Sequence, residues 1–215
     1  MLTDEQRKTI EQATVTIFTK EHGTGKGFVV PGGLIITAAH CVDYDLNLMP
    51  GDDLQMTFEG YNGTRFSGVL EFYEPVSDVA VFAAIDAQRN PKLARQFEQF
   101  VESITPLVVV DLPAESKFPV YVFSHERKWI TGEGFVYFGN TPSVMFTRTE
   151  SPVPCGTSGS PILNSRGEAI SLVSVFADSE EDADGSNPLI LRCLSRRLAE
   201  IVDPFYPVLR LPFGV

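Results

Sequence analysis

The sequence is poor in cysteine, in basic residues and in long apolar runs. Its 215 residues include three cysteines, and 17 lysines and arginines stand against 28 acidic residues, a formal net charge of −11. This net negative charge disfavours sequence-independent binding to the phosphate backbone of a nucleic acid, so we expect no nucleic-acid partner. No stretch reaches the ~18 consecutive apolar residues of a membrane span, and acids stand near the start where a signal peptide is apolar. We therefore expect no membrane partner and either a cytoplasmic location or a chain that lacks its export signal.

The cysteines are Cys41, Cys155 and Cys193, an odd number that cannot all pair. Their spacing matches neither a disulfide framework nor a metal-binding CxxC pair, so the sequence predicts reduced thiols, no metal site and no cofactor. Apolar residues make up 43% of the chain, enough for a globular protein with a substantial core. We therefore expect the fold to be held by packing alone.

Short stretches rich in valine, isoleucine, phenylalanine and tyrosine recur between glycine, proline and asparagine residues, a pattern typical of many short strands. The predicted strands are residues 14–18, 27–30, 34–38, 54–58, 69–73, 79–83, 107–110, 120–123, 134–137, 144–147, 169–175 and 189–193. One helical segment separates them into two groups. This order favours an all-β fold of two barrels packed side by side, with a cleft between them for chemistry.

Three segments have helical periodicity. A capping-box spacing starts a polar surface helix at residues 3–12. Asn90 followed by Pro91 starts a helix with one apolar face, which we place between the two strand groups. The third helix is predicted at residues 195–202 and ends before an Asp-Pro pair.

These boundaries predict a single domain with four parts. They are a first barrel at about 14–86, a linker helix at 87–104, a second barrel at 105–194, and a C-terminal helix and tail at 195–215. The acidic run at 179–188 is predicted to be a solvated loop. The proline-rich tail is too apolar to be left free in water, so we expect it to dock on a partner or on the chain itself.

Three local sequences carry candidate chemistry when they are taken together. They are LIITAAHCV at 34–42, SDVAVFAA at 77–84 and CGTSGSPILN at 155–164. Each alone is a weak signal, because a lone histidine is often a core residue and an aspartate or a glycine-serine pair is often part of a turn. In this order they supply a histidine and an aspartate from the first strand group and a serine from the second.

Jointly the motifs resemble those of the trypsin-like, or chymotrypsin-fold, serine peptidases. The resemblance runs from about Val15 to near Val202 and is strongest at 37–41 and 156–161; the stretch GFVVPGGLIITAAH brings it closest to bacterial HtrA-like and related intracellular trypsin-like peptidases. It implies two packed six-stranded antiparallel barrels and a serine endopeptidase acting on protein or peptide substrates. HtrA proteins carry PDZ modules after the protease domain, and we expect none here.

The resemblance implies a catalytic triad of His40, Asp78 and Ser158. Ser158 would need an adjacent base to take its proton, which is the role of His40, and Asp78 would fix the imidazole and stabilise its charged form. The N–H groups of Gly156 and Ser158 would converge as an oxyanion hole. Cys155 is intrinsically the better nucleophile, but the register of the motif puts it three residues before the reactive position.

The resemblance also implies a substrate-binding set. Its members are Pro152, Cys155, Ser174, Val175 and Phe176. Pro152 would leave the pocket floor uncharged and Phe176 would narrow it, which predicts small or aliphatic residues before the scissile bond. Ser174 would donate a hydrogen bond to Asp78, and Cys155 would be an accessible thiol at the pocket entrance. The acidic residues from Asp178 onward leave an alternative open, since they would attract basic substrate residues.

Two departures from the family pattern lead to further expectations. Thr157 stands where secreted relatives carry an aspartate that pairs with a freed N-terminal amine, so we expect the oxyanion loop to form without maturation cleavage or to be ordered by substrate. No cysteine precedes Cys41 on the neighbouring strand, so we expect that thiol to be free and buried. Cys193 is assigned to the core, and His22 and His125 to loops or strand ends.

Two other functions stay open on the sequence alone. One is a catalytically silent pseudo-protease that serves as a protein-binding module and binds its partner through the tail at 203–215 or through the acidic loop. The other is an esterase or acyl-transferase that uses the same three residues. The intact set of histidine, aspartate and serine favours the peptidase, because a scaffold has no physical need for it.

Overall fold

The computed structural model describes residues 1–19, 23–42, 54–75, 78–138, 142–147, 149–177 and 190–192. Several features predicted from the sequence lie outside these residues. They are the helix at 195–202, the C-terminal tail, the acidic run, Cys193 and His22.

Six antiparallel strands close into a barrel in the order β1-β2-β3-β6-β5-β4. They are β1 Thr14–Phe18, β2 Thr24–Val30, β3 Leu34–Thr37, β4 Gln55–Glu59, β5 Arg65–Glu74 and β6 Val79–Ala83. Every strand predicted in this half overlaps one of them. The barrel is filled by large apolar side chains, among them the fully buried Phe58, Phe82 and Ile35. Closure of the sheet leaves no open edge in this half.

Helix α2, Pro91–Glu102, follows the first barrel, and the side chain of Asn90 caps its start as predicted. Its apolar face packs on the first barrel, where the ring of Phe100 stacks on Phe66 with centroids 4.1 Å apart. The predicted helix between the two strand groups is therefore confirmed, and it belongs by its contacts to the first group. No helix in the described part of the chain is long and apolar enough to cross a bilayer.

The second half contains a five-stranded antiparallel sheet, ordered β11-β10-β7-β8-β9, and a two-stranded sheet, β12-β13. The strands are β7 Lys117–Phe123, β8 Trp129–Phe138, β9 Pro142–Thr147, β10 Pro161–Leu163, β11 Ala169–Leu172, β12 Val175–Ala177 and β13 Ile190–Arg192. With a closed barrel, a second sheet system and two α-helices among the described residues, the all-β, chymotrypsin-like fold class is confirmed. The strand predicted at 169–175 is divided into β11 and β12.

The strand predicted at 107–110 is wrong. Its hydrogen bonds go to two different halves of the molecule: Leu107 N donates to Val29 O of β2, and Val110 N donates to Ala169 O of β11. Only an isolated bridge joins Val109 to Ala169. Apolar composition makes this segment look like a strand, but it is a connector that pairs with neither sheet over its length.

Helix α1, Asp4–Ala13, lies across the two halves. Its N-terminus has the predicted capping box, and its last residue runs directly into β1 of the first barrel. On the other side, Trp129 Nε1 of β8 donates to Glu11 Oε1 at 2.9 Å, and Gln6 Nε2 donates to Arg166 O at 2.9 Å. The helix therefore ties the second half to the start of the first.

A shared apolar cluster joins the halves. It contains Phe28 and Ile36 from the first barrel together with Leu163, Ala169 and Leu172 from the second. The ends of β3, β6, β10 and β11 meet beside this cluster. The three motifs singled out in the sequence all lie at those ends.

Candidate active site

The predicted histidine and aspartate are neighbours because their strands pair. Strand β3 pairs with β6 in a register that sets Thr37 opposite Ala80, so residues just after β3 and just before β6 lie side by side. His40 is in the short 3₁₀ turn Ala39–Cys41. Its Nδ1 lies 2.8 Å from Asp78 Oδ2, and its backbone N–H donates to Asp78 Oδ1 at 2.9 Å.

The backbone of Asp78 is in an unusual conformation. Its φ is +54°, in the left-handed region that most side chains avoid and that aspartate tolerates better than most. Such outliers persist where the surroundings over-determine them and occur often at functional sites. Here the conformation turns the carboxylate toward His40, so that both of its oxygens bond to that one residue.

The carboxylate strongly favours the charged form of the histidine. The hydrogen bond that the His40 ring donates to the carboxylate of Asp78 is the largest cause that raises the pKa of His40 from 6.5 to about 10; a hydrogen bond with Cys41 adds to it, and partial burial opposes it. The side chain of His40 is 45% exposed against 15% for Asp78. The imidazole is therefore partly open to solvent while its Nδ1 is held by the carboxylate.

Ser174 completes the surroundings of Asp78 as predicted. Its hydroxyl donates to Asp78 Oδ2, the same oxygen that faces His40 Nδ1. Ser174 lies between β11 and β12 in the second half and is 6% exposed. The carboxylate is therefore held from both halves of the molecule.

Ser158 is positioned through its main chain. Its carbonyl oxygen accepts the N–H of Lys26 at 2.7 Å, and the thiol of Cys41 donates to the same oxygen at 3.7 Å. The next residue, Gly159, donates its N–H to Val173 O at 2.7 Å. Strand β2 of the first barrel and the end of β11 therefore clamp the predicted nucleophile between them.

Gly159 is required by this clamp. Its φ is +83°, and a Cβ at this position would lie 1.9 Å from the carbonyl oxygen of Lys26 and 2.5 Å from Thr37 Oγ1. No side chain fits at that separation. The glycine after Ser158 is thus what lets the loop come close to β2.

The N–H groups of the predicted oxyanion residues have no acceptor in the described part of the chain. Gly156 has φ +83°, and within the described part of the chain no acceptor bonds to its N–H or to that of Ser158. Unpartnered N–H groups are uncommon unless water or a ligand satisfies them. Two such donors on one short turn are the chemical requirement for binding an oxyanion.

The segment that carries Ser158 contacts the turn that carries His40, and no hydrogen bond joins the two side chains. Ser158 is partly buried, and its carbonyl group contacts Cys41, the residue after His40. Among the described residues no hydrogen bond joins Ser158 Oγ to the imidazole. Catalytic hydrogen bonds are often long in unliganded enzymes and shorten when substrate binds.

The predicted substrate-binding residues are placed unevenly. Cys155 is an exposed, free thiol beside Gly156, and Cys41 is free and buried, both as expected. Pro152 is exposed, so the described residues do not enclose it as a pocket floor, whereas its neighbour Val153 is buried in the core of the second half. Val175 and Phe176 lie on β12, paired with Arg192 and Leu191 of β13.

Sequence reasoning missed three residues that shape the site. Lys26 is 5% exposed, and burial, aided by the nearby charge of Arg127, lowers its pKa to about 8. Gly25 makes room for the thiol of Cys41, since a Cβ there would lie 2.7 Å from Sγ. The third is His125, assigned to a loop or strand end, which packs against Gly156. None has a local signature, because each acts through a contact distant in sequence.

No group of three or more histidine, cysteine, aspartate or glutamate side chains within the described residues could hold a metal ion. The groups that meet at this junction are a carboxylate-bound imidazole, a hydroxyl on a turn held by main-chain hydrogen bonds, and two N–H donors that have no acceptor among the described residues.

Comparison with known proteins bears on the family and the fold. A family model for the trypsin-like peptidase domain matches residues 23–172. An inactive form of a Ser-to-Ala mutant of Rv3671c from Mycobacterium tuberculosis H37Rv aligns with TM-score 0.61 and 19% identity over 99% of this chain and 95% of that one. The inactive form of the Rv3671c protease aligns with TM-score 0.58 and 19% identity over 93% and 92% of the two chains.

A serine endoprotease from Yersinia pestis aligns with TM-score 0.61 and 17% identity, over 95% of this chain and 66% of that one. At these identities the structural matches establish the fold, and the match of the family model over residues 23–172 establishes membership. The chain belongs to the trypsin-like peptidase domain family.

Proposed function

We propose that this chain hydrolyses peptide bonds in protein or peptide substrates as a serine endopeptidase, and that His40, Asp78 and Ser158 carry the reaction. The observation that carries the proposal is the carboxylate of Asp78, bonded to both Nδ1 and the backbone N–H of His40. This arrangement fixes the tautomer of the imidazole and leaves Nε2 to exchange protons. Ser158, on the turn clamped to β2, supplies the nucleophile.

In the proposed reaction Ser158 Oγ attacks the carbonyl carbon of the scissile bond as His40 Nε2 takes the hydroxyl proton. The carbonyl oxygen becomes an oxyanion, for which the N–H groups of Gly156 and Ser158 are the proposed donors. When the carbon–nitrogen bond breaks, His40 returns the proton to the leaving amine. Water then attacks the acyl-enzyme, with His40 again acting as the base, and Ser158 recovers its proton.

A fluorophosphonate probe tests the nucleophile directly. The wild-type protein should be labelled and should cleave an unfolded protein substrate, whereas Ser158→Ala should do neither. Ser151→Ala is the matched control, because Ser151 is an exposed serine seven residues earlier on the same segment. Cys155→Ser should leave labelling intact. Labelling that survives Ser158→Ala, or that never occurs in the wild type, would refute the assignment.

We further propose that the enzyme prefers small or aliphatic residues before the scissile bond. The support is chemical: Pro152 and Val153 bring no charge to the segment that precedes Ser158. Peptide sets that differ at that one position should show higher kcat/KM for alanine, valine and leucine than for lysine and arginine. A preference for the basic residues would instead favour the acidic run from Asp178 as the source of selectivity.

One feature favours a non-catalytic binding module as the second candidate, namely the missing hydrogen bond between Ser158 and His40 within the described residues. A binding module would show no probe labelling and no turnover of a peptide library, while still binding peptides. An esterase or acyl-transferase would turn over ester substrates and leave the matching amides intact.

A further inference from the structure

Thr157 lies between the two N–H groups proposed as oxyanion donors, and its side chain is fully buried. Its Oγ1 accepts the backbone N–H of His125 at 3.2 Å. Its own N–H donates to Pro154 O at 3.3 Å, and its carbonyl accepts the N–H of Ser160 at 3.0 Å. The side chain and main chain of this residue are therefore all bonded, whereas the N–H groups on either side of it have no acceptor among the described residues.

The partner of Thr157 is a closed turn between β7 and β8. Ser124 N donates to Lys128 O at 2.9 Å, Arg127 N donates to Ser124 O at 3.0 Å, and Lys128 N donates to Ser124 Oγ at 3.2 Å. Arg127 has φ +59°, in the left-handed region that favours glycine. These bonds fix the direction of the N–H of His125 at Thr157.

A second hydrogen bond ties the same two segments together. The hydroxyl of Ser160, which is fully buried, donates to Phe123 O at the end of β7 at 3.1 Å. Thr157 and Ser160 thus hold the turn that carries Ser158 on both sides, and both act through neutral hydroxyl groups.

The ring of His125 lies against Gly156. The Cγ atom of the imidazole is 3.1 Å from the position that a Cβ at Gly156 would take, and Thr24 Oγ1 is at 3.2 Å on β2. Nδ1 of His125 is buried and has no hydrogen-bond partner among the described residues. The ring therefore packs against Gly156, while its Nδ1 makes no hydrogen bond with any described residue.

We propose that Thr157 and His125 are positioning residues, which hold the turn 155–158 so that the N–H groups of Gly156 and Ser158 point to one place. Thr157 acts through its hydroxyl, and His125 acts through the shape of its ring. The proposal rests on the proposed function for its catalytic consequence, but the ordering of the turn can be measured without any activity.

The test compares Thr157→Val, which keeps the shape and removes the hydroxyl, with Thr157→Ser, which keeps the hydroxyl. Thr14→Val is the matched control, because Thr14 is also a buried threonine whose hydroxyl makes one hydrogen bond, at 2.8 Å to Ile10 O, where α1 runs into β1. Thr157→Val should lower kcat by about 10- to 100-fold with KM within about twofold, since oxyanion donors act in the transition state. Thr157→Ser should keep most of kcat, and Thr14→Val should keep all of it.

Amide hydrogen exchange of the peptide covering 153–160 gives a second measurement. Exchange there should accelerate in Thr157→Val and stay at the wild-type rate in Thr157→Ser and Thr14→Val. An unchanged exchange rate in Thr157→Val overturns the positioning role. A wild type that is inactive toward probe and substrate, yet shows the expected exchange pattern, refutes the proposed function and leaves the positioning role supported.

His125 is tested by His125→Phe against His125→Ala. Phenylalanine keeps a flat ring against Gly156 and replaces a buried nitrogen that no described residue bonds, so kcat should stay within about threefold of wild type and the urea midpoint should not fall. His125→Ala should lower kcat by about tenfold with KM nearly unchanged, and should speed exchange at 153–160. An equal loss of kcat in His125→Phe and His125→Ala would show that the shape of the ring does not position the turn.

Discussion

The two sides of the proposed site are held by different kinds of interaction. On the first-barrel side, His40 and Asp78 are joined by charge, and the histidine is partly open to solvent. On the second-half side, Ser158 is held by main-chain hydrogen bonds, and the next position, Gly159, has room for no residue other than glycine. The first arrangement responds to pH and to loss of a charge; the second responds to added volume. Substitutions can separate these two responses.

The largest effect is expected when the charge is removed by Asp78→Asn. An asparagine would keep the shape but would stabilise the wrong tautomer of His40, so kcat should fall by about 10⁴-fold. Initial rates on an amide substrate measure the fall. Asp86→Asn is the control, since Asp86 is an exposed aspartate that caps a turn away from the site. Retention of more than about a tenth of the activity in Asp78→Asn would contradict the role of the carboxylate.

The same pair makes the first-barrel side sensitive to pH. Because the pKa of His40 is raised to about 10, the neutral imidazole that can accept a proton becomes more abundant as the pH rises, and kcat/KM should increase up to about pH 10. The stabilisation from the His40–Asp78 pair has the opposite sign: it is fully present below pH 6.5 and is lost as the pH rises through about 10. Rate profiles and urea midpoints of wild type and His40→Ala measure both. A rate that is flat above pH 7 would contradict the raised pKa.

The shape-dependent side should fail on addition of one methyl group. In Gly159→Ala the new Cβ would meet the carbonyl oxygen of Lys26 at 1.9 Å in a left-handed backbone, so we expect a loss of about 3 kcal/mol or more in the free energy of unfolding. Gly63→Ala is the matched control: its φ is +81°, nearly the same, but nothing lies within 4 Å of the new Cβ. It should cost only about 1 kcal/mol. Similar losses of unfolding free energy in urea titrations of the two variants would show that backbone strain, and not the contact with Lys26 O, causes the destabilisation.

The same contrast explains what could be predicted from the sequence. His40 and Asp78 lie next to strands with strong alternating or apolar patterns, so their meeting follows from strand pairing, and Ser174 follows from the family motif. The clamp on Ser158 could not be predicted, because Lys26 and His125 reach it through contacts of the fold and carry no local signal. The strand prediction at 107–110 failed for a related reason. These residues have the composition of a strand, but their hydrogen bonds are shared between two sheets.

A smaller effect is expected where the two sides touch, at Gly25 and Cys41. A Cβ in Gly25→Ala would lie 2.7 Å from Cys41 Sγ and 3.0 Å from its Cβ, which should cost about 1–3 kcal/mol of stability. Cys41→Ala removes the sulfur, so the double variant should recover part of that loss, and the interaction free energy from the four proteins measures how much. Simple additivity of the two single losses would show that the thiol is not what Gly25 accommodates.

The smallest effect should come from Ser174→Ala, which tests whether the second half also contributes to the charged side. The hydroxyl of Ser174 and His40 Nδ1 share Asp78 Oδ2, so its loss removes one hydrogen bond to a carboxylate that keeps its bonds to His40. We expect the transition state to lose about 1 kcal/mol of stabilisation, which would be measured as a roughly fivefold lower kcat/KM. Ser103→Ala, which removes a hydroxyl bonded to Phe100 O at the end of α2, should leave kcat/KM unchanged. A fall as large as that of Asp78→Asn would mean that the carboxylate depends on the second half as much as on its own barrel, and the division between a charged side and a shaped side would then be wrong.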